Sequence, residues 1–159
     1  MTLQIGAQDG PIGRQDVTLL RVEDLRPYLE GGWALKRAIT EERWKQRGTL
    51  EGHAAFMPEH DGLLYRETGR MQLDNYDGRA TRAYRFAFPE PYLAQVSFMD
   101  GRHFHDLDLR SGEAEAVHLC GRDRYEGCFQ VIGPDHWRVF WRVEGPHKAL
   151  QIQSCYRRR

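Results

Sequence analysis

About ten short segments in which apolar and polar residues alternate follow one another along the chain from Trp33 onward. Examples are GTLEGHAAFMP, RATRAYRFAF and HWRVFWRV. Alternation with a period of two is typical of β-strands, because successive side chains point to opposite faces of a sheet. The stretches between the segments, such as MPEHDG, LDNYDG and EGP, contain the residues that tight antiparallel turns require. The sequence therefore predicts an all-β, antiparallel meander.

The region before the first strand has a different pattern. Residues 1–16 are rich in Gly, Gln and Asp, which predicts a flexible N-terminal segment, and residues 17–159 are predicted to form a single β-barrel domain. The stretch VEDLRPYLEGG has apolar residues at helical spacing and ends in two glycines, which predicts one short N-terminal helix. A meander of about ten strands has two unpaired edges unless it closes on itself. We therefore expect an up-and-down barrel, with two packed sheets as the alternative.

Charge and composition exclude several classes of partner. Lys and Arg together number 23, as do Asp and Glu, so no net field attracts the chain to nucleic acid or to an anionic membrane. The apolar runs are too short to span a bilayer, and the N-terminus lacks the pattern of a secretory signal. Cys120, Cys128 and Cys155 form an odd set without CxxC spacing, which is typical of reduced thiols. We expect a soluble, cytoplasmic protein without disulfides and without a nucleic-acid or membrane partner.

Several segments between Asp24 and Arg157 match a known family in order and spacing. The chain resembles the family called domain of unknown function 6314 (DUF6314) in GGWALKR, GTLEGHAAF, YRETG, AYRFAF, VSFMDGRHFHDLDL, AVHLCGRDRYEGCF and WRVFWRVEGPHKALQIQSCYRR. This resemblance implies a fold and a set of residues but no reaction.

A second resemblance concerns the two ends of the predicted barrel. A short helix followed by Gly-x-Trp, with a Tyr-x-Arg strand at the end, is similar to calycin-type barrels, which include lipocalin, fatty-acid-binding and nitrobindin-like proteins. This resemblance implies a calycin-like barrel in which Trp33 and Arg157 form a structural plug at the closed end, the cation stacked on the indole ring. Contact of these two residues with a ligand is the alternative.

The stretch DGRHFHDLDL places two histidines on one face of a predicted strand. The tight link RSGE predicts a hairpin with the next strand, EAEAVHLC, in which His105 lies opposite His118 and His103 opposite Cys120. This pairing would suit a zinc or iron site, but no further ligands stand at reliable spacing. We therefore expect the histidines to face a polar cavity that holds no tightly bound metal.

The inward rows of the barrel contain aromatic and polar residues that suit a small-molecule ligand. The candidate ligand-binding residues are Tyr65, Glu67, Tyr84, His103, His105, His118 and Tyr125. The expected arginine partners of a carboxylate in the lumen are Arg85, Arg102, Arg122 and Arg124.

A bulge or bend at Gly121 would bring an acid/base cluster together. The catalytic candidates are His105, His118, Asp123 and Tyr125. Three hypotheses follow from the residues. The first is a barrel that binds a small molecule, with no cofactor predicted. The second is a small enzyme that uses the cluster for acid/base chemistry. The third, which the resemblance to nitrobindin-like barrels implies and the histidine count supports, is a haem-binding or transition-metal-binding barrel.

Overall fold

The computed structural model describes residues 17–159, so the segment 1–16 that we predicted to be flexible lies outside the described residues. Residues 17–159 form one helix and ten strands, which confirms the predicted fold class. The elements are α1 Leu25–Leu29, β1 Gly31–Glu41, β2 Gln46–Glu59, β3 Gly62–Leu73, β4 Tyr76–Glu90, β5 Leu93–Ser97, β6 His103–Asp108, β7 Glu113–Cys120, β8 Asp123–Gly133, β9 His136–Glu144 and β10 Ala149–Arg158. In this part of the chain no helix has the length and apolarity that crossing a bilayer requires.

The strands form one antiparallel sheet in the order β6-β5-β4-β3-β2-β1-β10-β9-β8-β7. The first and last strands pair with each other along their length, from Trp33 opposite Arg158 to Glu41 opposite Leu150. This pairing curls the meander into a nearly closed up-and-down barrel, as predicted from the turn spacing. Inward side chains of the strands form its core and line its lumen.

The two edge strands, β6 and β7, meet at a seam. They lie beside each other, but no ladder joins them among the described strands, so the predicted hairpin is wrong. The chain that precedes α1 occupies the base of the seam: the Leu20 amide donates to the Val131 carbonyl at 2.9 Å, and the Val22 amide to the Leu109 carbonyl at 3.0 Å. The Gly112 carbonyl also accepts from the Val131 amide, at 2.8 Å. The connection between β6 and β7 thus bonds to other segments, while the Gly112 amide donates to the Leu109 carbonyl at 2.9 Å across the turn.

One end of the barrel is closed by α1. Leu25 and Leu29 are fully buried there, and the Leu25 amide donates to the Pro91 carbonyl at 2.8 Å, which fixes the helix across the end of β4. Trp33 is also fully buried, and its indole Nε1 donates to the Leu29 carbonyl at 2.8 Å. The ring of Trp33 meets that of Trp137 edge to face at 6.0 Å. Trp33 therefore fills the core directly under the helix.

The cation over Trp33 is Arg158. Its guanidinium carbon lies 4.0 Å from the centroid of the Trp33 ring, and its Nη atoms donate to the carbonyls of Tyr28 at 2.6 Å and Glu30 at 3.1 Å. Arg157 is exposed, because alternate residues of β10 face opposite sides of the sheet. The prediction of Arg157 as the plug partner is therefore wrong by one residue, and the Tyr-x-Arg spacing of the sequence itself points to Arg158.

Candidate functional site

The barrel contains a cavity of about 300 Å³. This volume lies at the lower end of the range of small-molecule pockets, roughly 300–1,000 Å³. Nearly half of its lining residues are Phe, Tyr or Trp. The apolar aromatic side chains of the wall are Phe56, Phe86, Phe98, Phe104, Phe129, Trp137 and Trp141. Such a wall suits a flat, largely apolar molecule.

Three of these rings form a continuous stack along one side of the cavity. The centroids of Phe98 and Phe104 are 4.7 Å apart and those of Phe104 and Trp141 are 5.3 Å apart, with an interplanar angle of 17° in each pair. The ring of His118 meets Phe104 edge-on at 5.1 Å. Packing of these rings against one another holds their orientation, so the wall is formed before any ligand enters.

A buried ion pair lies on the opposite side of the lumen. Arg37 donates from Nη1 and Nη2 to the two carboxylate oxygens of Glu67, at 2.6 and 2.9 Å, and from Nε to the Ser154 hydroxyl at 2.7 Å. The Tyr65 hydroxyl donates to the same carboxylate and lies 2.9 Å from the Tyr156 hydroxyl. Only 5% of the Arg37 side chain and 3% of the Glu67 side chain are exposed. The network therefore satisfies its own charges and donors inside the barrel.

These contacts determine which groups are ionised. Burial opposes the charge on Glu67, but the hydrogen bonds and positive charge of Arg37 outweigh it and lower the pKa of that carboxyl. Burial raises the pKa of the Tyr65 hydroxyl well above its ordinary value, and it raises the pKa of Tyr84 and Tyr156 as well. At neutral pH the network therefore holds a carboxylate beside protonated phenols.

The partners of Glu67 are Arg37 and Arg82, and neither is among the four arginines that the sequence suggested. Arg82 Nε lies 3.9 Å from Glu67 Oε1. Arg37 shares the inward row of Trp33 and Leu35 in the first strand, so the period of two in GGWALKR could have indicated its inward position but not its partner.

A β-bulge changes the faces of β6. His105 pairs with Val96 and His103 pairs with Ser97, which leaves Phe104 without a partner on β5. Because of this extra residue, Phe104 and His105 are both buried instead of alternating.

The bulge turns His103 out of the barrel. Its side chain is 59% exposed, and its Nε2 lies 2.8 Å from the carboxylate of Asp106. His103 is not among the residues that line the cavity, so the prediction of His103 as a lumen residue is wrong. Arg102, the residue before His103, lines the rim of the cavity instead.

His105 contributes a neutral hydrogen-bond acceptor. Its Nδ1 lies 3.0 Å from the Asp106 carbonyl, an acceptor, so the proton is on Nδ1 and Nε2 carries a lone pair. Burial lowers the pKa of His105 to about 4. The imidazole is therefore uncharged at neutral pH.

His118 and Tyr125 face each other across β7 and β8, with ring centroids 6.0 Å apart, and both line the cavity. His105 and His118 are not paired, because they lie on the two strands of the seam, but both rings contact Phe104. His105 and His118 therefore face one cavity, although their strands do not pair in the predicted register.

Asp123 does not join these residues. Gly121 lies in the turn between β7 and β8, with φ at +61°, and so produces no bulge. Asp123 is opposite Cys120 in the ladder, and its carboxylate lies 3.4 Å from the amino group of Lys148, outside the cavity lining. The predicted pairing of Cys120 with His103 is wrong because β6 and β7 form no ladder and His103 pairs with Ser97 instead. The predicted cluster of His118, Asp123 and Tyr125 is only partly assembled.

The structure thus brings most of the predicted site residues to one cavity. Those that line it are Tyr65, Glu67, Tyr84, His105, His118 and Tyr125. Their roles in binding or catalysis stay predictions. Within residues 17–159, no group of three or more His, Cys, Asp or Glu side chains is placed to hold a metal ion.

Comparison with solved structures places the fold. The barrel is similar to the S-type phycobiliprotein lyase CPES of Guillardia theta, with a TM-score of 0.63 and 11% identity over 88% of this chain and 93% of that one. It is also similar to a DUF3598 family protein of unknown function from Nostoc punctiforme PCC 73102, with a TM-score of 0.60 and 10% identity over 89% of this chain and 50% of that one. At these identities the likeness is one of fold alone.

Comparison with protein families and curated proteins gives the relationship. A search of curated proteins finds no match. The family model described as "Family of unknown function (DUF6314)" matches residues 29–158, which is most of the chain. The chain therefore belongs to the DUF6314 family.

Proposed function

We propose that this protein binds a small, planar and largely apolar molecule in the lumen of the barrel. The observation that carries the proposal is the cavity of about 300 Å³ with its pre-formed aromatic wall. Arg102 and Cys120 line the cavity and are themselves exposed, so it reaches the surface. They precede β6 and end β7, which puts this opening at the end of the barrel opposite α1.

The most deeply buried polar groups of the cavity favour binding over acid/base catalysis. Arg37 and Glu67 neutralise each other, and burial holds the Tyr65 phenol protonated. His105 has a pKa of about 4, so it neither gives nor takes a proton readily near neutral pH. These groups supply fixed hydrogen bonds, and orienting a mostly apolar ligand requires only a few of those.

The expected partner is therefore a small molecule and not a nucleic acid or a membrane, in keeping with the balanced charge of the chain. We place the protein in the cytoplasm. Cys120, Cys128 and Cys155 are all free thiols, which supports a reducing compartment.

The neutral dye N-phenyl-1-naphthylamine tests the proposal, because its fluorescence rises when it enters an apolar site. We expect saturable binding by the wild-type protein. Ile152→Trp places a large ring in the cavity and should abolish binding, whereas Gln153→Trp, at the next and exposed position of β10, should not. Absence of binding by the wild type, or equal binding by the two variants, would refute a ligand site in the lumen.

Mass spectrometry of small molecules extracted from the purified protein would identify the ligand class directly. Haem absorbance and metal analysis of the same sample test the third hypothesis from the sequence. One equivalent of haem, zinc or iron per chain would replace the present proposal.

A further inference from the structure

We infer that the ligand is an organic acid, an aromatic molecule with one carboxylate or sulfonate group that Arg82 binds near the mouth of the cavity. This inference rests on the proposed function and names the chemical class of its ligand.

The charged side chains of the cavity wall include more cations than anions. The Asp, Glu, Lys and Arg side chains that line the cavity in the described part of the chain are Arg37, Glu67, Arg82 and Arg102. Arg37 and Glu67 neutralise each other through two hydrogen bonds. Arg102 is neutralised by Asp100, whose carboxylate lies 2.8 Å from its Nε. One positive charge, that of Arg82, is left over.

Arg82 lines the cavity and is also accessible from solvent. It faces Glu67 directly across the β3–β4 ladder, but its Nε is 3.9 Å from that carboxylate, and both oxygens of Glu67 already accept from Arg37. Its side chain is 45% exposed, so its guanidinium can be reached from solvent. An anion entering the cavity would therefore meet a guanidinium whose charge is not fully compensated, and an arginine fork matches the geometry of a carboxylate or sulfonate.

Tyr84 lies beside Arg82 in the cavity wall. Tyr84 is the next inward residue of β4, and its raised pKa keeps the hydroxyl protonated, so it is a second donor. The Tyr84 ring contacts Phe104 at 5.3 Å and Phe98 at 6.0 Å, where the aromatic stack begins. A ligand with its acid group on Arg82 would thus have its ring system against the stack.

The far end of the stack adds one more requirement. The ring of His105 meets Phe104 at 4.7 Å and Trp141, the last member of the stack, at 5.6 Å, and its Nε2 is an acceptor. A hydroxyl or N–H group on the ligand, remote from the acid group, would be satisfied there. The geometry thus fits an aromatic acid with a hydrogen-bond donor at its other end.

A pair of dyes isolates the acid group. 8-Anilinonaphthalene-1-sulfonate has the ring system of N-phenyl-1-naphthylamine and differs by one sulfonate. We expect the wild type to bind the sulfonate at least roughly tenfold more tightly at low ionic strength, since a charge-assisted hydrogen bond supports a preference of that size. Arg82→Gln should remove this preference, so that the two dyes bind with similar affinity.

Two further variants control for charge and for folding. Arg79→Gln makes the same charge change at an exposed position of β4, where Arg79 donates to the Thr68 hydroxyl, and should keep the full preference. Arg82→Lys keeps the charge and should keep part of it. Thermal melting by circular dichroism shows whether each variant is folded.

The outcomes separate this inference from the proposed function. If the wild type binds both dyes equally, or if folded Arg82→Gln keeps the preference, the acid-binding role of Arg82 is refuted while the ligand site stands. If the neutral dye does not bind at all, the proposed function fails and the inference fails with it.

Discussion

Glu67→Gln should destabilise the barrel far more than loss of a surface charge. It removes the anion that Arg37 meets through two hydrogen bonds and leaves a guanidinium, with only 5% of its side chain exposed, without a counter-charge. Removing one partner of a buried ion pair costs roughly 3–5 kcal/mol. For a domain of about 150 residues this lowers the melting temperature by roughly 6–20 °C.

The assay is urea unfolding at pH 7, followed by tryptophan fluorescence. Arg37→Met/Glu67→Leu removes both charges and keeps apolar bulk, so it should recover most of the lost stability. Glu51→Gln is the control, because Glu51 and Lys36 form an ion pair at 3.7 Å with both side chains at least 75% exposed. That variant should change the free energy of unfolding by less than about 1 kcal/mol.

The pH dependence provides a second check on Glu67. Its pKa is lower in the folded protein than its ordinary value of 4.5, so its contribution is complete above pH 4.5 and is lost as the pH falls through the folded pKa. Glu67→Gln should therefore lose less stability than the wild type on acidification below pH 4.5. If Glu67→Gln is no less stable than Glu51→Gln, or the double variant no better than the single one, the two residues are not a coupled pair.

Three further predictions concern the plug and the buried histidine. Trp33→Ala should lower the free energy of unfolding by roughly 3–5 kcal/mol, because Trp33 is fully buried. Trp44→Ala is the control: its side chain is 72% exposed, and the change should be less than about 0.5 kcal/mol. Similar urea midpoints for the two variants would contradict this prediction. Arg158→Gln should lower the melting temperature more than Arg157→Gln, because only Arg158 covers the ring of Trp33, and the reverse order would favour the original assignment. The pKa of His105 is about 4 in the folded protein and 6.5 ordinarily, so its contribution of roughly 3 kcal/mol is complete above pH 6.5 and is lost as the pH falls to 4. His105→Gln should flatten the stability curve over that range, and an unchanged slope in urea titrations would refute it.

The sequence predicted the strands because their signals are local. Alternation of apolar residues and the turn residues between strands depend only on neighbours along the chain, so the number of strands and the barrel followed from them. The inward position of Tyr65, Glu67 and Tyr84 followed from the same alternation.

Three of the errors have a different origin, since they depend on contacts between distant segments. The bulge at Phe104 turns His103 outward, and nothing in DGRHFHDLDL indicates the extra residue. Leu20 and Val22 bond to Val131 and Leu109, and β6 and β7 do not pair, although the link RSGE is short enough for a hairpin. Arg37 was missed because a charged residue on an inward row is identified only by the partner that neutralises it.

The place of β10 between β1 and β9 decides when the lumen can exist during synthesis. In a nascent chain that ends before residue 149, no strand pairing joins the sheet from β1 to β6 to the sheet from β7 to β9. In that chain Arg37 also lacks its bonds to Ser154 and Tyr156. The cavity is therefore completed only when β10 inserts between β1 and β9. Until then the edges of β1 and β9 are open to pairing with other chains, and a ligand has no finished site through which to stabilise the intermediate.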